Sequence, residues 1–251
     1  MRSVLLSLSV LALSTAACSD GTGPNADGNV RLLIAAGVPG AALGPALASE
    51  TYSLGGTTIE FTRVQLVLRE IELKRTEGSS NCAGESVSSS SSDDCEEFET
   101  GPVLLDLPLD GAPDQVVTIE AAAGTYRELE FEVHKPGDDS RDGSFLAQHP
   151  DFRGVSIRVE GRWNGTPFVY VTDLSAEQEV ALVPPLTVEA DGNTDLTLKV
   201  DLRAWFLNSG RTAFVNPATA NKGQSNEGLV KDNIKRSFDA FEDDDHDGER
   251  D

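Results

Sequence analysis

The C-terminal ten residues, EDDDHDGERD, contain seven carboxylates and a single Gly. From Asp243 to Asp251 their spacing reads D-x-D-x-D-G-x-x-D. Calcium takes about six to eight oxygen ligands, and alternate Asp residues followed by a turn glycine supply them in protein loops. The spacing therefore predicts calcium binding, in which Glu249 contributes its backbone carbonyl. The candidate ligands are Asp243, Asp245, Asp247, Glu249 and Asp251.

This acidic segment resembles an EF-hand loop and also the loops of thrombospondin type 3 repeats. The bidentate Glu that closes an EF-hand loop has no counterpart here, so we expect weak, about millimolar, affinity for calcium. The preceding residues place Val230, Ile234, Phe238 and Phe241 on one helical stripe, as in the entering helix of an EF-hand. The alternative interpretation of the segment is a solvated acidic tail.

The chain has 42 acidic and 20 basic residues, which give a formal net charge of −22. This balance argues against nucleic acid as a partner, because Lys and Arg supply that affinity by neutralising phosphates. It argues equally against adsorption to an anionic membrane surface. Hydrophobic residues make up 39% of the 251 residues, enough for the core of one large domain or two small ones.

Residues 1–17 have the features of an export signal, because one basic residue precedes an uncharged run too short and Ser-rich to span a membrane. Small residues then lead into Cys18. This pattern resembles a bacterial lipoprotein signal, although Thr15 stands where Leu is commonest; the alternative is an ordinary signal peptide that ends near a Cys. The resemblance implies lipidation of Cys18 and anchoring to the envelope, at the outer membrane, facing the periplasm or the surface. Residues 18–29 would then form a flexible tether.

Two further cysteines, Cys82 and Cys95, flank a polar, Ser-rich stretch. Because an exported chain meets an oxidising compartment, we expect a structural disulfide between them. Such a bond would close a long insertion and reduce the entropy of the unfolded chain. The alternative, a metal pair, has neither C-x-x-C spacing nor a nearby His to support it.

The middle of the chain alternates apolar and polar residues with a period of two, as strands do. In VQLVLREIELKR the alternation changes phase near Arg69–Glu70, which predicts a β-bulge. In TYRELEFEVHK, Leu129 and Phe131 share the inner face, whereas His134 is expected to face outward. Asn164-Gly165, between two alternating runs, predicts a tight hairpin.

Turn signals recur between these runs without a long helical stretch. The pattern predicts an all-β fold, an antiparallel β-sandwich (Ig/transthyretin-like) over residues 30–202, with a small closed barrel as the alternative. An irregular connection at 203–227 would contribute Trp205 and Phe206 to the core, and 228–251 would hold a short amphipathic α-helix and the acidic tail. Further strands are predicted at Val30–Ala35, Thr57–Phe61, Val103–Leu107, Val116–Glu120, Glu179–Val183, Leu186–Val188 and Leu196–Asp201.

The runs VQLVLREIELKR, VLLDLPL and AAGTYRELEFEV resemble the bacterial lipoprotein family known as domain of unknown function 4382. The shared features are an opening β-ribbon, an LDL strand and an AGTY strand, within residues 30–202. The resemblance implies a lipid-anchored β-sandwich on the envelope, a turn role for Gly124 and a core role for Tyr126. It implies no activity, and the insertion between Cys82 and Cys95 departs from the pattern.

The sequence contains no G-x-S-x-G, no H-E-x-x-H, no phosphate-binding loop and no dinucleotide fingerprint. We therefore predict a non-enzymatic envelope protein whose β-sandwich binds a polysaccharide or a surface protein, with calcium as its one candidate cofactor. Exposed aromatic rings would contact a polysaccharide, and Trp163 and Tyr170 are the candidates for such rings. The alternatives are a structural component of envelope assembly without its own ligand, and a hydrolase whose carboxylate pair the sequence does not reveal.

Overall fold

The structure is a computed structural model, and it describes residues 27–37, 49–75, 101–110, 112–246 and 250. The predicted export signal, Cys18, and the Cys82–Cys95 pair lie outside the described residues, so these predictions stand untested. The same holds for three of the candidate calcium ligands, Asp247, Glu249 and Asp251.

The described residues form two sheets that pack face to face, which confirms the predicted β-sandwich. The strands are β1 (Asp27–Ala36), β2 (Glu50–Leu54), β3 (Thr57–Arg75), β4 (Val103–Asp106), β5 (Asp114–Ala122), β6 (Gly124–Val133), β7 (Ile157–Trp163), β8 (Thr166–Thr172), β9 (Ala176–Val188), β10 (Asn193–Val200) and β11 (Phe238–Glu242). One sheet has four strands in the order β11-β10-β1-β5. The other has seven: five follow the order β8-β7-β3-β6-β9, and β2 and β4 also pair with β3. Neighbouring strands are antiparallel except for β1 and β10, which run parallel.

The long strand β3 organises the seven-stranded sheet. Along one edge it pairs first with β7 and then with β6, while β4 pairs with the opposite edge. The register against β6 shifts after Arg69, and Glu70 has a positive φ of 52°. This irregularity confirms the bulge predicted from the change of phase, because the extra residue restores the inward face for Ile71 and Leu73, which are both buried.

Other local predictions are also confirmed. Asn164 and Gly165 form the two-residue loop between β7 and β8, with φ values of 48° and 80°, as a type I′ hairpin requires. Tyr126, Trp205 and Phe206 are fully buried in the core between the sheets. The burial of these side chains follows from the alternation of the strands and from the packing of the C-terminal connection against them.

Three short helices accompany the sheets: α1 (Gly143–Gln148), α2 (Leu202–Trp205) and α3 (Glu227–Lys235). The predicted C-terminal helix is confirmed as α3, but its predicted extension through Phe241 is wrong. Ser237 ends the helix, because its hydroxyl donates to the carbonyl of Ile234 (2.7 Å) and accepts from the indole of Trp205 (2.8 Å). The chain then continues as β11, which gains backbone pairing with β10.

The connection between β6 and β7, residues 134–156, is here called the insert. It contains α1 and two single 3-10 turns. The insert covers the outer face of the seven-stranded sheet, where Phe145, Leu146 and Phe152 pack around Val67 in a small second core. Among the described residues no helix is both long and apolar enough to cross a membrane.

Candidate functional site

A groove lies on the outer face of the seven-stranded sheet, between the insert and strands β3, β4 and β7. Its larger part has a volume of about 770 Å³. A smaller cavity of about 250 Å³ adjoins it and continues along residues 107–110. The two parts share Arg63 and Asp106, so the groove is elongated and these two side chains lie where its parts meet.

Three neighbouring strands supply the floor of the groove. Because alternate residues of a strand face the same side, Arg63 and Gln65 of β3 both point outward. Glu160 and Arg158 of β7 lie directly opposite them, and Asp106 of β4 lies opposite Gln65 on the other edge. The register therefore places five polar side chains next to one another on one surface.

Two ion pairs tie these floor residues together. Arg63 donates from Nε (3.1 Å) and Nη2 (2.8 Å) to a single oxygen, Oδ2 of Asp106, which also accepts from Gln65. Arg158 donates from Nε (3.1 Å) and Nη2 (3.0 Å) to Oε1 of Glu160. The hydrogen bond to Asp106 raises the pKa of Arg63, so this guanidinium remains charged at any physiological pH.

Helix α1 forms the wall of the groove. Phe145 and His149 stack there with ring centroids 4.9 Å apart, but Phe145 is only 6% exposed. Gln148 and Ser144 lie on the exposed side of α1 and also line the groove. The wall therefore adds polar groups and the partly exposed imidazole ring of His149.

Charges of opposite sign are balanced along the larger part of the groove. Its lining includes three guanidinium groups and three carboxylates, in contrast to the acidic excess of the whole chain. The charged residues of this part are Arg63, Arg141, Arg158, Asp106, Asp151 and Glu160. The smaller part adds the carboxylates of Asp110 and Asp114.

A buried pair anchors the insert at its base. His134 and Asp142 are 5% and 1% exposed, and Nε2 of His134 lies 2.8 Å from Oδ1 of Asp142. The other carboxylate oxygen accepts from the backbone N–H of Gly137 (2.7 Å). The prediction of an outward-facing His134 is therefore wrong, because the chain leaves β6 at this residue and the insert folds back over it.

The predicted calcium ligands are placed in part. Asp243 is fully buried, and its Oδ2 accepts a hydrogen bond from Oγ1 of Thr197 (2.9 Å). Asp245 is exposed. Strand β11 directly precedes this segment, so the expected entering helix is wrong in its second half. Residues Phe238–Glu242 complete the four-stranded sheet instead of continuing α3.

His246 shows that residues 243–246, the described start of the acidic segment, lie against the four-stranded sheet. Its Nε2 contacts the carboxylate of Asp195, which is 2% exposed and also binds the guanidinium of Arg31. Within the described part of the chain no cluster of three or more His, Cys, Asp or Glu residues has the geometry of a metal site. Calcium binding remains a prediction, because three of its five ligands lie outside that part.

The expected aromatic face for a polysaccharide is not formed by Trp163 and Tyr170. Tyr170 is fully buried, and Trp163 is partly buried against the core. Among the described residues every Phe, Tyr and Trp is buried or half-buried. A ligand of the groove would therefore be bound mainly through hydrogen bonds.

The floor residues were missed by the sequence-based search for a site. The available signal was the alternation in TRVQL and in IRVEG, which places Arg63, Gln65, Arg158 and Glu160 on the wet side of their strands. The alternation alone does not tell which strands are neighbours. The convergence of these residues with Asp106 depends on strand order and register.

No family model, no curated protein and no solved structure matches the chain. The resemblance to domain of unknown function 4382 therefore remains a prediction, and the groove is the feature of the structure that bears on function.

Proposed function

We propose that this chain is a lipid-anchored protein of the bacterial envelope that binds a polysaccharide in the groove, without a chemical reaction. The anchor is supported by the signal-like residues 1–17, by Cys18 after them and by the Gly- and Asp-rich residues that follow. In this arrangement a lipid holds the chain at the membrane and the tether displays the β-sandwich to its ligand.

The shape of the groove is the observation that carries the proposal. Binding sites for small molecules typically have volumes of about 300 to 1,000 Å³ and are closed on most sides. Here a cavity of about 770 Å³ lies beside a second one of about 250 Å³ on the surface of the sheet, and both are lined by Arg63 and Asp106. An open, elongated groove suits a chain of repeating units that enters at one end and leaves at the other.

The chemistry of the floor agrees with a sugar ligand. Each sugar hydroxyl donates one hydrogen bond and accepts up to about two. Guanidinium groups supply donors and carboxylates supply acceptors, and bonds to such charged groups are the stronger ones. A protein partner fits less well, because the centres of protein interfaces are depleted of charged residues and enriched in aromatic ones.

The pairing of the carboxylates supports binding over hydrolysis. Glycosidases need one carboxyl group that stays protonated as a general acid. In the groove the carboxylates of Asp106 and Glu160 instead each accept two hydrogen bonds from a guanidinium group, so both are arranged as partners in ion pairs.

The test is affinity electrophoresis of the full chain, purified in detergent, through gels that contain dextran, mannan, galactan, alginate or polygalacturonate. We expect retardation by at least one polysaccharide. Ser144→Trp, which places an indole in the groove, should abolish the retardation. Ala147→Trp is the matched control, because Ala147 is also exposed on α1 but does not line the groove. Equal migration of all three proteins in every gel would contradict the proposal.

A further inference from the structure

The two ion pairs of the floor leave part of their hydrogen-bonding capacity unused. Arg63 and Arg158 each direct two N–H groups at one carboxylate oxygen. Among the described residues, Nη1 of either guanidinium donates no hydrogen bond, and neither Oδ1 of Asp106 nor Oε2 of Glu160 accepts one. Each pair therefore offers a ligand one nitrogen donor beside one oxygen acceptor.

These half-used pairs lie next to each other. Arg63 of one pair is directly opposite Glu160 of the other in the register of β3 and β7. Neighbouring strands are about 5 Å apart, so the two donor and acceptor sets are neighbours on one surface. Their side chains are partly exposed, from 36% for Arg158 to 52% for Asp106, so a ligand reaches them without displacing another element.

The charges around the groove disfavour a charged ligand. In the larger part of the groove three carboxylates balance three guanidinium groups, and the smaller part adds Asp110 and Asp114, so positive charge is not in excess in either part. The chain as a whole carries −22, which repels polyanions over the range of a Debye length, about 8 Å at physiological ionic strength. A polycation would be attracted by this charge, but over the whole surface rather than at the groove.

We infer that the groove selects an uncharged polysaccharide, and that the Arg63–Asp106 and Arg158–Glu160 pairs are its specificity determinants. This inference rests on the proposed function. Neighbouring hydroxyl groups of a sugar ring match the unused donor and acceptor of each pair, since one hydroxyl accepts from Nη1 and the next donates to the carboxylate. A carboxylated sugar would place its negative charge beside Asp106 or Glu160.

The experiment compares polysaccharides that differ in charge but share a backbone. The full chain in detergent is titrated with dextran, carboxymethyl-dextran and diethylaminoethyl-dextran, and with methyl-esterified and de-esterified polygalacturonan. We expect the uncharged member of a series to bind at least tenfold more tightly than its anionic counterpart. Its affinity should change less than twofold between 50 and 500 mM salt, because no net charge is neutralised. Binding of the cationic dextran should disappear at the higher salt.

Two isosteric variants test the role of the pairs. Glu160→Gln and Asp106→Asn each remove one negative charge and an acceptor oxygen while they preserve the size of the side chain. Each should weaken the uncharged polysaccharide about fivefold or more and strengthen the carboxymethylated one. Glu179→Gln, on an exposed position of β9 outside the groove, is the control and should change neither affinity. A purely structural role would not produce opposite changes for the two ligands.

The outcomes separate this inference from the proposed function. Tighter binding of an anionic polysaccharide that Ser144→Trp abolishes would overturn the selection of uncharged ligands and leave polysaccharide binding in place. Uncharged binding that both isosteric variants leave unchanged would overturn the role of the two pairs. Absence of binding to every polysaccharide in these and the preceding gels would overturn both proposals.

Discussion

At the scale of single residues, buried polar groups fix the position of the insert, whose helix α1 forms the wall of the groove. The carboxylate of Asp142 joins two parts of the insert, since it bonds both His134 at its start and the backbone of Gly137. On the other side of His134, Nδ1 lies 3.4 Å from Oε2 of Glu132, which Arg69 binds at 2.7 Å. The insert is therefore fixed to β3 and β6 through a chain of polar contacts as well as by its small apolar core.

His134→Ala should lower the free energy of unfolding by about 2 to 3 kcal/mol, because it leaves the buried carboxylate of Asp142 without its side-chain partner. Urea denaturation followed by circular dichroism measures this change. His149→Ala, on the exposed side of the same insert, should cost less than about 1 kcal/mol. Equal free energies of unfolding for the two variants would show that the buried His134–Asp142 pair does not stabilise the fold.

Glu50→Gln should stabilise the chain at neutral pH. Burial raises the pKa of the Glu50 carboxyl group, although the hydroxyl of Tyr52 partly opposes this by hydrogen bonding. A carboxyl whose pKa is higher in the folded state contributes stability in acid, and that contribution is lost as pH rises through the folded value. Glutamine does not ionise and so avoids the loss.

The measurement is the melting temperature of both proteins from pH 4 to pH 8. The variant should melt a few degrees higher at pH 7, where about 1 kcal/mol corresponds to roughly 2 to 4 °C in a chain of this size. The difference should vanish toward pH 4. Glu179→Gln, at an exposed site with the same change of charge, should show no such pH-dependent difference.

At the scale of elements, close contacts between strands set the geometry of the groove floor. Strand β7 approaches β3 so closely at Gly161 that a Cβ atom there would lie 2.0 Å from the backbone oxygen of Glu60. Glycine is required at this position because of contact and not because of its φ angle. Its neighbours along β7, Arg158 and Glu160, are thereby held opposite Gln65 and Arg63.

The C-terminal segment combines a structural residue with candidate ligands. We predict that calcium at about ten times its dissociation constant stabilises the full chain by roughly 1.4 kcal/mol. Calorimetric titration and thermal melting would detect it. Asp245→Ala should abolish the effect, whereas Asp244→Ala, an exposed neighbour outside the alternating register, should preserve it. No response of any variant at millimolar calcium would leave only a packed acidic segment.

Asp243→Ala is expected to differ from Asp245→Ala and Asp244→Ala in its stability without calcium. Because Asp243 is fully buried and accepts from Thr197, its loss should lower the melting temperature even without calcium. The loss of stability measured without calcium therefore gives the structural contribution of Asp243 apart from metal binding.

At the scale of the whole molecule, the proposed anchor decides where the groove meets its ligand. Residues between Cys18 and β1 are few and rich in Gly, Asp and Asn, a composition typical of flexible linkers. Such a tether would keep the sandwich near the membrane while it leaves the outer face of the seven-stranded sheet free to approach a polymer.

Cys18→Ser should move the chain from the membrane fraction to the soluble fraction of bacteria that express it, because the proposed lipid would be attached through this thiol. Mass spectrometry of the native chain should show a diacylglyceryl modification on Cys18 as the first residue. Cys82→Ser is the control, since loss of the predicted disulfide should leave the membrane fraction unchanged. Recovery of both variants with the membrane would contradict lipid anchoring.

The sequence by itself determined the features that depend on neighbouring residues. The alternation of apolar side chains located the strands other than β2, which was not predicted, and β11, which was predicted as helix. The change of phase located the bulge at Glu70, and Asn164-Gly165 located the hairpin. These predictions succeeded because strand faces, bulges and turns are set by a few consecutive residues and their backbone preferences. The class of the fold followed from their spacing.

Tertiary structure alone decided what distant residues do together. The spacing of apolar residues through Phe241 predicted a helix. Backbone pairing with β10 makes the second half of that stretch a strand instead. His134 became buried because the insert folds back over it, and the groove exists because β4, β3 and β7 bring Asp106, Arg63 and Glu160 side by side. Long-range pairing of backbone groups fixes these positions, and no periodicity within one strand records which strand will lie beside it.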